Sequence, residues 1–162
     1  MLIRLFSYIT IGDMMKVERL DNGYFIFFNS SYIGNIPSKK EDIIVLVKDL
    51  LLKKRYILHL SGFYKVKVYF DSKVGIFLIL NLLDRLNNDL ELRVVVYMND
   101  KIYFKTRDYF SLPKNVVTYY YQSYYFCEAS KVSFSNLEFG EYIFGERLYP
   151  YYFLWKKCRS LQ

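Results

Sequence analysis

Apolar and polar positions alternate from Met15 to Leu20, and the alternation stops at Asp21-Asn22-Gly23. An Asn-Gly step flanked by strand-like residues predicts a hairpin. The returning segment, Tyr24 to Phe28, is apolar without a break. That predicts a strand covered on both faces, or covered on one and meeting a partner on the other. Pro37 breaks the chain, and Ser38-Lys39-Lys40-Glu41 has the form of a capping box. Ile43, Leu46, Val47, Leu50 and Leu51 then recur at helical spacing, and Lys53, Lys54 and Arg55 close the pattern where a helix dipole favours cations. A helix is expected from about residue 39 to residue 55.

Beyond Ser61-Gly62 the period changes to two. Tyr64, Val66, Val68 and Phe70 share one strand face, and Phe63, Lys65, Lys67 and Tyr69 share the other. Val74 to Leu80 returns as an apolar strand, and Asp84 to Asp89 is a polar break. Leu90 to Tyr97 and Lys101 to Thr106 read as two strands joined at Asn99-Asp100, with Leu92, Val94, Val96, Ile102 and Phe104 inward. Val116 to Tyr121 and Tyr124 to Cys127 form a third hairpin through Gln122-Ser123. Ser135-Asn136-Leu137-Glu138 is a second capping box, predicting a short helix to about Gly145, although Gly140 inside it weakens helix formation.

The expected fold is α+β, a mostly antiparallel sheet built from hairpins in the order ββ-α-ββ-ββ-ββ-α, with two helices on one face. No linker or repeat interrupts the pattern, so one domain is expected over residues 15–149. Residues 150–162 form an aromatic-basic tail. Residues 1–14 read as an extension or a misassigned start, because Met15 opens the first strand pattern.

Composition adds restraint. Aromatic residues make up 20% of the chain, with 18 Tyr and 14 Phe. Codon bias in an AT-rich genome explains such a surplus as readily as function does. The net charge is +7, but Lys156, Lys157 and Arg159 of the tail supply three of those charges. Cys127 and Cys158 match no zinc or redox spacing and read as free thiols, which points to the cytoplasm. No apolar run reaches the length of a membrane span, and no signal-peptide cleavage site follows the first residues.

Few residues in the chain carry catalytic chemistry. The single histidine, His59, has no partner motif and reads as structural. No P-loop, dinucleotide fingerprint or nucleophile elbow is present, and no close cluster has metal-ligand spacing. Glu138, Glu141 and Glu146 read as a solvated helix face. No enzyme activity, cofactor or metal is expected.

Two surfaces remain. Lys65, Lys67 and Tyr69 project together, as do Lys101, Tyr103 and Lys105. Lysine neutralises phosphate and tyrosine offers a stacking ring, so these six residues are a candidate nucleic-acid face. The plainer reading is a solvated sheet face guarded by lysines. Gly62 to Val68 resembles the RRM strand motif in part, without its leading basic residue, the small residue after its aromatic and its closing aromatics. The second surface is the tail, where Tyr151, Tyr152, Phe153 and Trp155 are candidate protein-interface anchors, unless they dock on the chain's own core.

Met15-Lys16-Val17-Glu18-Arg19-Leu20-Asp21, Tyr119 to Phe126, and Leu137-Glu138-Phe139-Gly140 resemble segments of MecA-type adaptor proteins, the negative regulators of competence. The resemblance covers about twenty residues, and it implies a non-enzymatic adaptor that delivers protein substrates to a Clp-type unfoldase. Apart from that resemblance, the missing catalytic residues and the aromatic and apolar surplus of Tyr24–Phe28 and of the tail give the expected function, a regulatory or adaptor-like protein-interaction module in the cytoplasm, with a protein partner. The alternative is RNA or single-stranded nucleic-acid binding through the Lys/Tyr face. A homo-oligomer is compatible with either, since an apolar edge strand pairs readily with its twin.

Overall fold

The structure is a computed structural model that describes residues 15–85, 89–98, 100–132 and 139–151. It is a mixed α+β fold with two mostly antiparallel sheets. The chain divides after Met98 into two compact units. No linker composition marks the boundary, because one sheet ends at Tyr97 and the next begins at Tyr103 with only a few residues between.

The first unit holds β1 (Met15–Leu20), β2 (Gly23–Asn29), the short α1 (Ser30–Ile33), α2 (Lys40–Lys54), β3 (Gly62–Asp71), β4 (Gly75–Asp84) and β5 (Leu90–Tyr97). Its sheet runs β1-β2-β4-β3-β5. The hairpin at Asp21-Asn22 is present, with Leu20 facing Gly23. Both β2 and β3 are antiparallel to β4, so they are parallel to each other, and α2 is the crossover that parallel strands require. The unbroken apolar runs of β2 and β4 follow from this placement, since both are interior strands. Ile26, Phe28, Ile76, Leu78 and Leu80 face α2, while Phe27 and Phe77 are equally buried on the opposite side with their rings 4.8 Å apart. The Tyr24–Phe28 surface is thus consumed largely within the sheet.

The helix expected over 39–55 is α2. Its Ile43, Val47, Leu50 and Leu51 are buried, and Glu41, Asp42, Lys53 and Lys54 lie at the ends the dipole favours. The Ser38 capping box is not used: Lys39 is the N-cap and makes no side-chain cap bond. Past the helix, His59 adopts φ 54°, Leu60 donates its N–H to the Arg55 carbonyl and His59 donates to Tyr56. This is a Schellman closure with a histidine at the left-handed position that favours glycine. His59 is exposed and serves the backbone. A His59→Gly variant is expected to raise stability by about 1 kcal/mol in a denaturant titration. A loss of stability would instead give the imidazole a role of its own.

The hairpin expected between Leu90–Tyr97 and Lys101–Thr106 does not form. β5 pairs in parallel with β3 over its whole length, and the following strand enters the other sheet. Burial explains the choice. Val94, Leu92 and Val96 complete the apolar surface beneath α2, and Tyr97 stacks on Tyr69 at 4.7 Å.

The second unit holds β6 (Tyr103–Thr106), β7 (Tyr119–Tyr121), β8 (Tyr124–Glu128) and β9 (Gly140–Ile143), in the order β7-β8-β6-β9, with short 3-10 turns at Tyr109–Ser111, Ala129–Lys131 and Gly145–Tyr151. The Gln122-Ser123 hairpin is present. The second helix is corrected: Ser135 to Glu138 lie outside the described residues, and Gly140–Ile143 is a strand followed by a 3-10 turn. Among the described residues, the ββ-α-ββ-ββ-ββ-α order with two helices on one face gives way to one crossover helix, a single turn of helix and two sheets. Among the described residues, no helix is long and apolar enough to cross a membrane.

Candidate protein interface

The two sides of the second sheet divide its aromatic residues by strand alternation. On one side Tyr103, Phe126 and Ile143 are buried with Leu148, and Tyr119, Tyr124 and Tyr151 pack against them. Lys105 lies in the same face. Its ammonium sits 4.0 Å from the Tyr124 ring centroid and 5.2 Å from that of Tyr151, donates to the Tyr151 hydroxyl at 2.8 Å, and lies 3.7 Å from Glu141. Arg107 approaches Tyr124 too, with a hydrogen bond of 2.9 Å to its hydroxyl.

The other side carries the candidate interface. Register places Tyr120 directly opposite Tyr125, and their rings are 5.0 Å apart. Gln122 and Ser123 both have positive φ, as a two-residue turn matched to strand twist requires. That turn fixes which tyrosines face which. Tyr109 meets the Tyr125 ring at 5.2 Å, and Phe110 lies edge-on to Tyr109 at 6.0 Å. The four rings form a row, Phe110-Tyr109-Tyr125-Tyr120, and three of them are open to solvent: Phe110 is 93% exposed, Tyr120 63% and Tyr109 56%.

A buried hydroxyl network holds one end of this row. Thr106 and Ser111 are the buried polar side chains among the described residues. The Thr106 hydroxyl donates to the Phe139 carbonyl and accepts the Asp108 N–H at 3.0 Å. Ser111 donates to the Asp108 carbonyl at 2.7 Å, and the Asp108 carboxylate accepts the Phe110 N–H at 3.0 Å. These bonds close the Tyr109–Ser111 turn and direct Phe110 outward. Thr106→Val keeps the shape but strips the partner from two backbone groups, so a thermal or chemical melt should read a loss of about 2 kcal/mol. Thr106→Ser should stay near wild type, and equal losses in both variants would count against the network.

The Lys/Tyr candidates are distributed differently from expectation. Lys65, Lys67 and Tyr69 do share the face of β3 away from α2, but Tyr69 is 3% exposed and stacked on Tyr97. Lys101 is exposed ahead of β6, Tyr103 is buried, and Lys105 is engaged with Tyr124, Tyr151 and Glu141. The two triplets therefore lie in different units, and neither tyrosine presents a free ring for a base. Arg93, missed from the sequence, lies directly beside Lys65 across the β3–β5 register. Of the tail candidates, Tyr151 packs on Phe126 at 4.9 Å, while Tyr152, Phe153 and Trp155 lie outside the described residues.

Neither thiol chemistry nor metal binding gains support from the described residues. Burial, then the neighbouring Glu128, pushes the Cys127 thiol up to about 11, so it stays protonated and inert near neutrality. No group of three or more His, Cys, Asp or Glu gathers among the described residues. No protein-family model, curated protein or solved structure matches the chain.

Proposed function

We propose that this chain is a non-enzymatic protein-interaction module whose contact surface is the Phe110-Tyr109-Tyr125-Tyr120 row. The observation that carries the reading is Phe110, a large apolar ring almost wholly in water and held there by the hydrogen bonds that close its turn. Exposing such a ring costs solubility, and fixing its position lowers the entropy lost when a partner covers it. Aromatic side chains are also the usual anchors of protein interfaces. The adaptor role implied by the resemblance to MecA-type proteins fits the same surface, with a Clp-type unfoldase or its substrate as the partner. Nucleic-acid binding retains its phosphate-neutralising half, in Lys65, Lys67 and Arg93, but loses the stacking rings.

The test is a Phe110→Ala, Tyr120→Ala double variant of the full chain, used beside wild type to capture partners from nuclease-treated host lysate. Truncating two anchors is expected to weaken capture by roughly tenfold or more. Undiminished capture by the double variant would remove this surface from the reading. Partners that vanish on nuclease treatment would transfer it to the basic strip.

A further inference from the structure

We propose that two copies of this chain pair antiparallel along β5, about a twofold axis at Leu92, to form a homodimer. Among the described residues β5 is the end strand of the five-stranded sheet, and it is eight residues long. End strands of this length and β-branched content present a template for another strand. What selects a second copy as the occupant is the charge pattern. Glu91 and Arg93 are both exposed, two positions apart on one face. Arg93 lies beside Lys65, whose own β4 neighbour is Asn81. That cross-strand row therefore holds two cations and no anion, and adjacent like charges destabilise a sheet.

A twofold at Leu92 corrects the imbalance twice over. It sets Glu91 against the partner's Arg93, and Arg93 against the partner's Glu91. Asp89 falls on the diagonal to the partner's Arg93. The inner face matches as well: Leu92 meets the partner's Leu92, and Leu90 meets the partner's Val94. Leu90, Leu92 and Val94 are half-buried at the margin of the core beneath α2, so the partner would cover apolar surface left at the edge. Other registers serve less well. A twofold at Glu91 or at Arg93 places like charges face to face. A twofold at Val94 lengthens the ladder but sets Arg93 diagonal to the partner's Arg93 and forms no ion pair.

The inference is independent of the aromatic row, and its test does not involve those residues. Sedimentation velocity or light scattering would be run on the wild-type chain, on Glu91→Arg, on Arg93→Glu, and on an equimolar mixture of the two variants. The wild type is expected to dimerise within the micromolar to sub-millimolar range. Each single variant turns two attractive pairs into repulsive ones and should dimerise about tenfold more weakly. The mixture should recover wild-type association as a heterodimer, because every facing pair is again opposite in sign. A wild-type chain that stays monomeric, single variants that associate as well as wild type, or a mixture no tighter than the single variants would each overturn the proposal.

Discussion

Gly140→Ala is expected to lower the stability of the second unit by about 3 kcal/mol, read as a fall in melting temperature of roughly 15 °C for a unit of this size. The cause is a close approach between strands. A β-carbon on Gly140 would lie 2.3 Å from the Lys105 carbonyl oxygen and 2.7 Å from the Phe104 ring. Neither neighbour can yield cheaply, since one is backbone in a strand and the other is a fully buried ring. Relief requires β9 to move off β6. That would loosen the pairs Phe104 with Tyr142 and Tyr103 with Ile143, and β6 is the strand β9 pairs with. The Phe139 carbonyl, which accepts from Thr106, would move with it. The measurement is a thermal melt followed by near-ultraviolet circular dichroism, which reads the packing of the unit's tyrosines. A variant melting with the wild type would mean that the strands are not this close.

The same glycine shows where pattern reading misleads. Between a capping box and a later glycine, Gly140 looks like a weak point in a short helix. In the fold it is the residue that lets β9 lie against β6, a property set by a partner strand 34 positions earlier in the chain. Local signals served well where the determinants were local. The α2 periodicity, the Asp21-Asn22 and Gln122-Ser123 turns, and the alternation of β3 all depend on residues within one element or its neighbour. The β5–β6 hairpin failed for the converse reason. Asn99-Asp100 is acceptable turn chemistry, but β5 gains more by burying Leu92, Val94 and Val96 beneath α2 through a parallel pairing that no turn signal announces.

The candidate site was half legible for similar reasons. The Tyr119–Phe126 hairpin was visible, but the pairing of Tyr120 with Tyr125 on the open side depended on the register, and Tyr109 and Phe110 sat in a segment without periodicity. One local signal pointed to them. Asp108 followed by Tyr109, Phe110 and Ser111 is the composition of a side-chain-closed turn, which places these two aromatics in a loop rather than in a strand. The Lys/Tyr face illustrates the opposite error. Alternation assigns a residue to a face but does not reveal what else lies on that face, so Tyr69 and Tyr103 seemed available when both are buried.

Lys105→Met is expected to destabilise the second unit by about 2 kcal/mol, while Lys65→Met should remain within about 0.5 kcal/mol of wild type. Both substitutions remove one positive charge and keep an apolar stem, so their difference isolates the surroundings. Lys105 is 13% exposed along its side chain, lies between two tyrosine rings, and donates to Tyr151 at 2.8 Å beside Glu141. Removing the ammonium deletes a charge-assisted hydrogen bond and the cation–π contacts, and leaves a partly buried carboxylate with less compensation. Glu141→Gln in the Lys105→Met background should recover part of the loss, because the excess charge is then gone. Equal stabilities for the Lys105 and Lys65 variants would mean that the cage contributes nothing. The comparison also decides how nucleic-acid binding is best tested. A variant that includes Lys105 would lose binding merely by loosening the unit that holds Tyr124 and Tyr151. Lys65 and Lys67 together, with Lys105 left intact, give the interpretable substitution, and the salt dependence of any binding that remains reads directly on phosphate contact.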